Sequence, residues 1–166
     1  MAPDVLGVDI GGVIIDRVRE ERDATGRGYG DAPPVEGAFA AIARLVAGRF
    51  HDRVWLVSRC EAADEPEIRA WLGARDFFRT TGVAPGRVRF CRERHEKAPI
   101  CRALGITHFV DDRLEVLGPM LGIVPHLYHL RSRAAEDGRV PAIVRGVTSV
   151  AAWGEIVSAL LGPEAA

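Results

Sequence analysis

An aspartate followed closely by two glycines ends the first apolar run of this chain. Asp9 follows the run 5–8 and precedes Gly11 and Gly12. Because glycine has no Cβ, the backbone beside Asp9 can approach a phosphate group or a metal ion closely. The segment predicts a carboxylate at the end of a β-strand, a position from which active sites of α/β proteins are built.

A second acidic strand end follows later in the chain. Asp111 and Asp112 come after the apolar residues Phe109 and Val110. Adjacent carboxylates repel each other unless a cation lies between them, and carboxylate oxygens are ligands that Mg²⁺ prefers. The pair can equally begin a turn and cap the next helix. At a strand end beside Asp9 it predicts a Mg²⁺ site.

A hydroxyl and an ammonium complete the set. Ser58 follows the apolar run 54–57, and Lys97 stands at the start of a predicted helix. A phosphoryl group in transfer spreads negative charge over its oxygens, and a fixed ammonium stabilises that charge. Taken singly, Asp9 is a turn former, Ser58 a strand end and Lys97 a solvated side chain. Together, a carboxylate and a hydroxyl at two strand ends and an ammonium at a helix start are the groups that phosphoryl transfer uses.

Short apolar runs alternate with longer amphipathic segments, which is typical of a parallel sheet covered by helices on both faces. Strands are predicted near residues 5–9, 54–57, 88–91, 108–110 and 124–127. Helices are predicted near 35–47, 65–74, 97–104, 114–121 and 149–160, the last with Thr148 and Ser149 as candidate caps. The expected fold is a three-layer, Rossmann-like α/β fold with a parallel sheet of about five strands.

Length and charge limit the classes of protein to consider. The 166 residues suit one domain, 1–166, and the net charge of -1 provides no basic field for polymeric nucleic acid. The three cysteines, Cys60, Cys91 and Cys101, lack the paired spacing of a zinc site or a disulfide framework. No apolar run approaches the ~18 residues of a membrane helix, and no cationic leader is present. We therefore expect a cytoplasmic protein without a membrane partner.

The segment 16–34 between the first strand and the first helix is rich in charge and glycine. Its glycines, in Gly26-Arg27-Gly28-Tyr29-Gly30, do not have the spacing of a dinucleotide-binding loop or a P-loop. We interpret the segment as a flap over the site or, equally, as a surface loop.

The order of Asp9, Ser58, Lys97 and the acidic pair resembles the haloacid dehalogenase-like (HAD) superfamily, in its small-cap or capless phosphatase-type members. The compact span 97–112 resembles HAD-type deoxyribonucleotidases. The resemblance implies a Mg²⁺-dependent hydrolase of phosphate monoesters in which Asp9 forms an aspartyl-phosphate. It also implies that Ser58 hydrogen-bonds the phosphoryl group and that Lys97 stabilises its charge.

The same resemblance implies a binding site around these catalytic residues. Mg²⁺ is expected to contact Asp9, the Gly11 carbonyl oxygen, Asp111 and Asp112, with Asp111 acting directly or through a neighbour. Phosphate is expected to contact Gly11, Gly12, Ser58 and Arg59.

The chain departs from the superfamily pattern at Gly11, where an acid that serves as general acid and base is usual. Loss of such a group typically costs ~10²- to 10⁴-fold in rate. Asp16 and His95 are the candidate substitutes, although both are also ordinary loop residues. Some HAD relatives with phosphatase activity do carry Asp-x-Gly-x-Val. Three outcomes stay open: a slow phosphatase, an acid and base from elsewhere, or a catalytically weakened binding or regulatory module that retains the metal site.

The expected partner is a small-molecule phosphate ester, with nucleotides and sugar phosphates as the leading classes. Arg59, Arg92 and Arg94 can bind a second phosphate or carboxylate, or form a solvated surface. Dehalogenation is disfavoured because that reaction needs no Mg²⁺, whereas the acidic pair predicts a Mg²⁺ site. An actin-like sugar kinase is disfavoured because Val13 replaces the usual Thr and the chain is too short for two such domains.

Overall fold

The computed structural model describes residues 2–16, 29–131 and 144–163. Within these ranges the strands are β1 (Leu6–Val8), β2 (Val54–Arg59), β3 (Val88–Cys91), β4 (His108–Asp111), β5 (His126–Leu130) and β6 (Val147–Val150). They form one parallel sheet in the order β3-β2-β1-β4-β5-β6. The predicted α/β class with a parallel sheet is confirmed.

Helices cover both faces of the sheet. They are α1 (Ala38–Leu45), α2 (Glu65–Ala74), α3 (Phe77–Thr81), α4 (Lys97–Leu104), α5 (Leu114–Leu117) and α6 (Trp153–Leu161). A π-helical segment, Val46–Phe50, extends α1, and a 3₁₀ turn, Gly118–Met120, extends α5. One apolar cluster joins the sheet to α1, α2, α3 and α6, and a second joins its other face to α4 and α5.

The pleat of β1 turns Leu6 and Val8 toward one cluster and Gly7 toward the other. Leu6 and Val8 are fully buried in the cluster with α1. Gly7 lies between them and faces Phe109, and a Cβ on Gly7 would come within 2.5 Å of the Phe109 ring. Glycine at position 7 therefore lets the Phe109 ring pack directly against the central strand.

The strand order fixes where a ligand site can form. β1 lies in the middle of the sheet, with β2 on one side and β4 on the other. The chain continues from β1 to β2 and from β4 to β5, so it leaves β1 and β4 toward opposite edges of the sheet. This divergence opens a crevice at the carboxyl ends of β1 and β4. Every acidic strand end singled out above belongs to β1 or β4.

Two predicted boundaries in the last third of the chain are wrong. The fifth strand is His126–Leu130 rather than 124–127, because the Val124 N–H bonds to the Met120 carbonyl and closes a turn before Pro125. Buried apolar character at Val124 reflects core packing, not strand pairing.

The predicted last helix, 149–160, begins too early. Thr148 and Ser149 do not cap it, because they pair with β5 as part of a sixth strand. The helix begins at Trp153, and the Glu155 carboxylate accepts the Ala152 N–H. The short helix α3 was not predicted, because five residues are too few for a helical period to show.

The predicted flap at 16–34 falls largely on residues 17–28, which lie outside the described residues. Its two ends are paired: the Asp16 N–H bonds to the Pro33 carbonyl and the Val35 N–H bonds to the Ile14 carbonyl. Among the helices of the described ranges, none combines the length and apolar composition that crossing a membrane requires.

Candidate active site

Asp9 lies directly beyond β1 at the carboxyl edge of the sheet. Its N–H donates to the Val110 carbonyl at 3.0 Å, so the backbone keeps its register with β4 one residue past the strand. The chain then turns sharply, with the Gly12 N–H bonded to the Ile15 carbonyl at 2.8 Å. Gly12 has a φ of 76°, which glycine adopts without steric strain. Asp9 is thereby held in the crevice, with only 4% of the residue exposed.

Lys97 enters the same crevice from the first residue of α4. Its Nζ lies 2.9 Å from Asp9 Oδ1 and 2.9 Å from Asp111 Oδ2. The side chain is 3% exposed, in a position where the helix dipole disfavours a cation. Lys97 is also the only lysine of this chain, whose other 21 basic residues are arginines. A compact ammonium between two carboxylates explains why lysine stands here.

Burial and neighbouring charges shift the pKa values of Lys97 and Asp111. Burial opposes a charge on Lys97, but Asp9 and Asp111 together outweigh burial and raise the pKa of the ammonium above its ordinary value. Burial and the charge of Asp9 raise the pKa of Asp111 to about 6, against the opposing effect of Lys97. The ammonium therefore stays protonated at neutral pH and acts as a fixed positive charge rather than as a proton donor.

Three carboxylates form a group that suits a divalent cation. One carboxylate oxygen from each of Asp9, Asp111 and Asp112 lies within 4.8 Å of the other two. Asp111 is fully buried, and Asp112 is 9% exposed. An all-oxygen donor set of this kind fits a hard cation such as Mg²⁺ better than a soft metal. A single ammonium leaves the group with excess negative charge, which a bound cation would offset.

Ser58 and Gly11 lie at the same edge of the sheet. Ser58 is the fifth residue of β2, is 3% exposed, and accepts the Cys91 thiol at its backbone carbonyl at 3.7 Å. Gly11 pairs with Ile15 in the turn after Asp9. The strands and turns thus bring the predicted phosphate-binding residues to the edge that carries the carboxylates.

The three predicted substrate-binding arginines all have protein partners. Arg59 donates to the Arg92 carbonyl at 3.0 Å and to Glu61 at 2.8 Å. Arg92 donates to the Cys60 carbonyl at 3.1 Å and to Glu65 at 2.6 Å. These reciprocal bonds tie the loop after β2 to the loop after β3. Arg94 lies 3.5 Å from Glu115, so an anionic substrate would compete with a carboxylate at each arginine.

The candidate acids differ in their surroundings. His95 is exposed, in the 3₁₀ turn Arg94–Glu96 that leads into Lys97. Asp16 is partly exposed, and it lies where the backbone of residues 14–16 is hydrogen-bonded to that of residues 33–35. Both roles stay predictions.

Sequence reasoning missed His129. This residue is 7% exposed in β5, and its Nε2 lies 3.2 Å from the Asp112 carbonyl oxygen. The predicted fifth strand ended at residue 127, so His129 fell outside it. A strand placed two or three residues later, over the run His-Leu-Tyr-His-Leu, would have set His129 level with Asp111.

No protein-family model matches the chain, and no curated protein sequence matches it. Solved structures of hydrolases share its architecture over nearly their whole length. A haloacid dehalogenase-like family hydrolase from Xanthomonas campestris is 13% identical, with a TM-score of 0.65, covering 96% of this chain and 95% of the other. A D,D-heptose 1,7-bisphosphate phosphatase from Burkholderia thailandensis is 15% identical, with a TM-score of 0.63, covering 96% and 99%.

The third structure, from Burkholderia xenovorans LB400 and assigned to the haloacid dehalogenase-like hydrolases, is 15% identical, with a TM-score of 0.59 and coverage of 95% and 96%. These identities are low, so the similarity concerns the path of the backbone. The chain therefore has the fold of the haloacid dehalogenase-like hydrolases. This is the fold that the sequence resemblance predicted.

Proposed function

We propose that this chain is a Mg²⁺-dependent phosphatase that hydrolyses small phosphate monoesters through an aspartyl-phosphate on Asp9. The observation that carries the proposal is the buried Lys97 ammonium, 2.9 Å from both Asp9 and Asp111. A buried cation between two carboxylates is costly to build and gives a fixed field for a transferring anionic group.

Each residue of the crevice has a role in the first half of the reaction. An Asp9 carboxylate oxygen attacks phosphorus in line, the P–O bond to the leaving group breaks, and an aspartyl-phosphate forms. Lys97 stabilises the charge on the phosphoryl oxygens, and the Ser58 hydroxyl donates to one of them. Mg²⁺, held by Asp9, the Gly11 carbonyl oxygen, Asp111 and Asp112, would supply further charge neutralisation.

The second half of the reaction releases phosphate. Water attacks phosphorus, the bond to the Asp9 oxygen breaks, and inorganic phosphate and the free carboxylate result. Gly11 has no side chain that can protonate the leaving oxygen or deprotonate this water. Solvent water, Asp16 or His95 therefore handles these protons, and we expect turnover to be slow compared with an enzyme that has a positioned acid.

Small phosphate esters are the proposed substrates. The similarity in fold to a phosphatase of a sugar bisphosphate supports sugar phosphates as one class to test. A module that binds Mg²⁺ without turnover is the competing proposal, and the glycine at position 11 favours it.

One assay separates the two proposals. Phosphate release from p-nitrophenyl phosphate, nucleotides and sugar phosphates is measured with and without Mg²⁺, and the peptide containing Asp9 is examined for phosphorylation by mass spectrometry. We expect phosphate release to depend on Mg²⁺ and to be abolished by Asp9→Asn. Asp52→Asn is the control and should retain phosphate release, because the Asp52 side chain is 80% exposed. Release that survives Asp9→Asn would exclude Asp9 as the nucleophile, and Mg²⁺ binding without release would favour the binding module.

A further inference from the structure

A buried histidine holds the loop that carries Asp112. His129 Nε2 lies 3.2 Å from the Asp112 carbonyl oxygen, and the contact is buried. A carbonyl oxygen only accepts hydrogen bonds, so Nε2 carries the proton and donates it. The contact joins β5 to the residue that follows β4, at the edge of the sheet where the three carboxylates meet.

The other nitrogen of the ring is held by a neighbouring strand. His129 Nδ1 lies 3.1 Å from the Ser149 hydroxyl on β6, and the register pairs His129 with Asp111 on one side and Ser149 on the other. Because Nε2 carries the proton in the neutral ring, Nδ1 has a lone pair and accepts from the Ser149 hydroxyl. Ser149, His129 and Asp112 thus form a continuous chain of hydrogen bonds.

The peptide group between Asp112 and Arg113 is held at both of its polar atoms. His129 binds its carbonyl oxygen, and its N–H donates to Asp111 Oδ1 at 3.0 Å. Rotation of this rigid peptide plane would break both bonds, one buried and one partly buried, which is costly. Because the plane of the peptide fixes the ψ angle at Asp112, it limits the directions in which the Asp112 carboxylate can point.

We propose that His129 is a positioning residue that aims the Asp112 carboxylate at the cation site, with Ser149 holding the imidazole in place. This inference rests on the proposed Mg²⁺-dependent phosphatase activity. Groups that orient metal ligands without touching the metal typically change metal affinity by about 10- to 100-fold. His129 acts through the backbone of the ligand, so we expect the lower end of that range.

The test measures Mg²⁺ affinity in two ways, by the Mg²⁺ concentration for half-maximal p-nitrophenyl phosphate hydrolysis and by calorimetric titration without substrate. We expect His129→Leu to raise both the Mg²⁺ concentration for half-maximal hydrolysis and the Kd for Mg²⁺ about 10-fold. His129→Gln should restore part of the affinity, because its amide can still donate to the Asp112 carbonyl. Ser149→Ala should give a smaller increase in the same direction.

His108→Leu is the matched control. His108 is also a buried histidine, 1% exposed, but it lies at the opposite end of β4, with its Nδ1 2.8 Å from the Thr107 hydroxyl. We expect this variant to lose stability in EDTA, as His129→Leu also does, yet to keep the Mg²⁺ affinity of the wild type. A purely structural role of His129 would make the two leucine variants behave alike.

The outcomes separate the inference from the proposed function. Unchanged Mg²⁺ affinity in His129→Leu would overturn the inference while leaving the phosphatase proposal intact. If that variant does not fold, unchanged affinity in both His129→Gln and Ser149→Ala would overturn it. A wild-type protein that neither binds Mg²⁺ nor releases phosphate would refute the proposed function, and the inference with it.

Discussion

At the scale of single residues, Lys97 sets the electrostatics of the site. Its ammonium lies between two buried carboxylates, Asp9 and Asp111, each at 2.9 Å. Removing the cation would leave two like charges buried together, and breaking a buried ion pair in this way typically costs ~3–5 kcal/mol. The choice of lysine also fits the space, because a guanidinium is planar and larger than an ammonium.

We therefore expect Lys97→Met to lower the free energy of unfolding in EDTA by ~3–5 kcal/mol and to abolish phosphate release. Lys97→Arg keeps the charge but should also lose most activity, because its fork does not fit between the two carboxylates. Urea unfolding and the phosphate assay measure both effects. Adding Asp9→Asn to Lys97→Met should recover part of the lost stability, and a Lys97→Met variant as stable as wild type would contradict this account.

Gly11 has no side chain that could donate a proton to the leaving group. Without an acid at this position, the rate should depend strongly on how readily the leaving oxygen departs as an anion. We expect aryl phosphates with acidic phenols to react much faster than alkyl phosphates. Gly11→Asp should raise the rate for alkyl phosphates by ~10-fold or more and flatten this dependence. A series of substituted phenyl phosphates measures how the rate depends on the pKa of the leaving phenol. An equally steep dependence in wild type and Gly11→Asp would show that position 11 does not face the leaving group.

At the scale of secondary-structure elements, α6 supports the loop that follows Asp9. The Trp153 indole N–H donates to the Val13 carbonyl at 2.9 Å, in a buried contact between opposite ends of the chain. Trp71 on α2 binds the Ala32 carbonyl in the same way, at 2.8 Å. The turn after Asp9 is thus held by a helix that the sequence places far from it.

We expect Trp153→Phe to lower the free energy of unfolding by ~1–3 kcal/mol, because the Val13 carbonyl loses its buried donor. Urea unfolding measures the change. Trp55→Phe is the control: Trp55 is half-buried and stacks against Arg87 and Arg89, so its substitution should change stability by no more than about 1 kcal/mol. Equal losses in the two variants would show that the Trp153 hydrogen bond has no special role.

At the scale of the whole molecule, a buried histidine at the amino end of the sheet limits stability in acid. Burial lowers the pKa of His108 from 6.5 to about 4, and the ring of His126 stacks on it at 4.4 Å. At pH 7 the imidazole is neutral in the folded chain and mostly neutral in the unfolded chain. As pH falls below 6.5 the unfolded chain binds a proton first, so stability is lost between pH 6.5 and 4.

This difference in pKa corresponds to a loss of roughly 3 kcal/mol across that range. We expect His108→Gln to be less stable than wild type at pH 7 but to lose less stability between pH 7 and 4. Urea unfolding at a series of pH values gives both slopes. His95→Gln, which replaces an exposed histidine, should follow the wild type, and parallel curves for His108→Gln and wild type would contradict the assignment.

The sequence by itself determined the sheet class and the candidate residues of the site. Asp9, Ser58 and Asp111 each end an apolar run, and the carboxyl ends of parallel strands meet at one edge, so local patterns were enough to group them. Lys97 was identified by its place at a helix start. Its status as the only lysine is a further signal that the composition contains and that sequence reasoning did not use.

Only the tertiary structure decided how these groups are held. The placement of Lys97 between Asp9 and Asp111, the sixth strand, and the chain from Ser149 through His129 to Asp112 depend on register between segments that lie far apart in the sequence. Strand patterns show which residues can pair but not how far the pairing is shifted, and a shift of one residue reverses the face of every side chain. Register is fixed by packing of the whole core, so it appears only when the chain is folded.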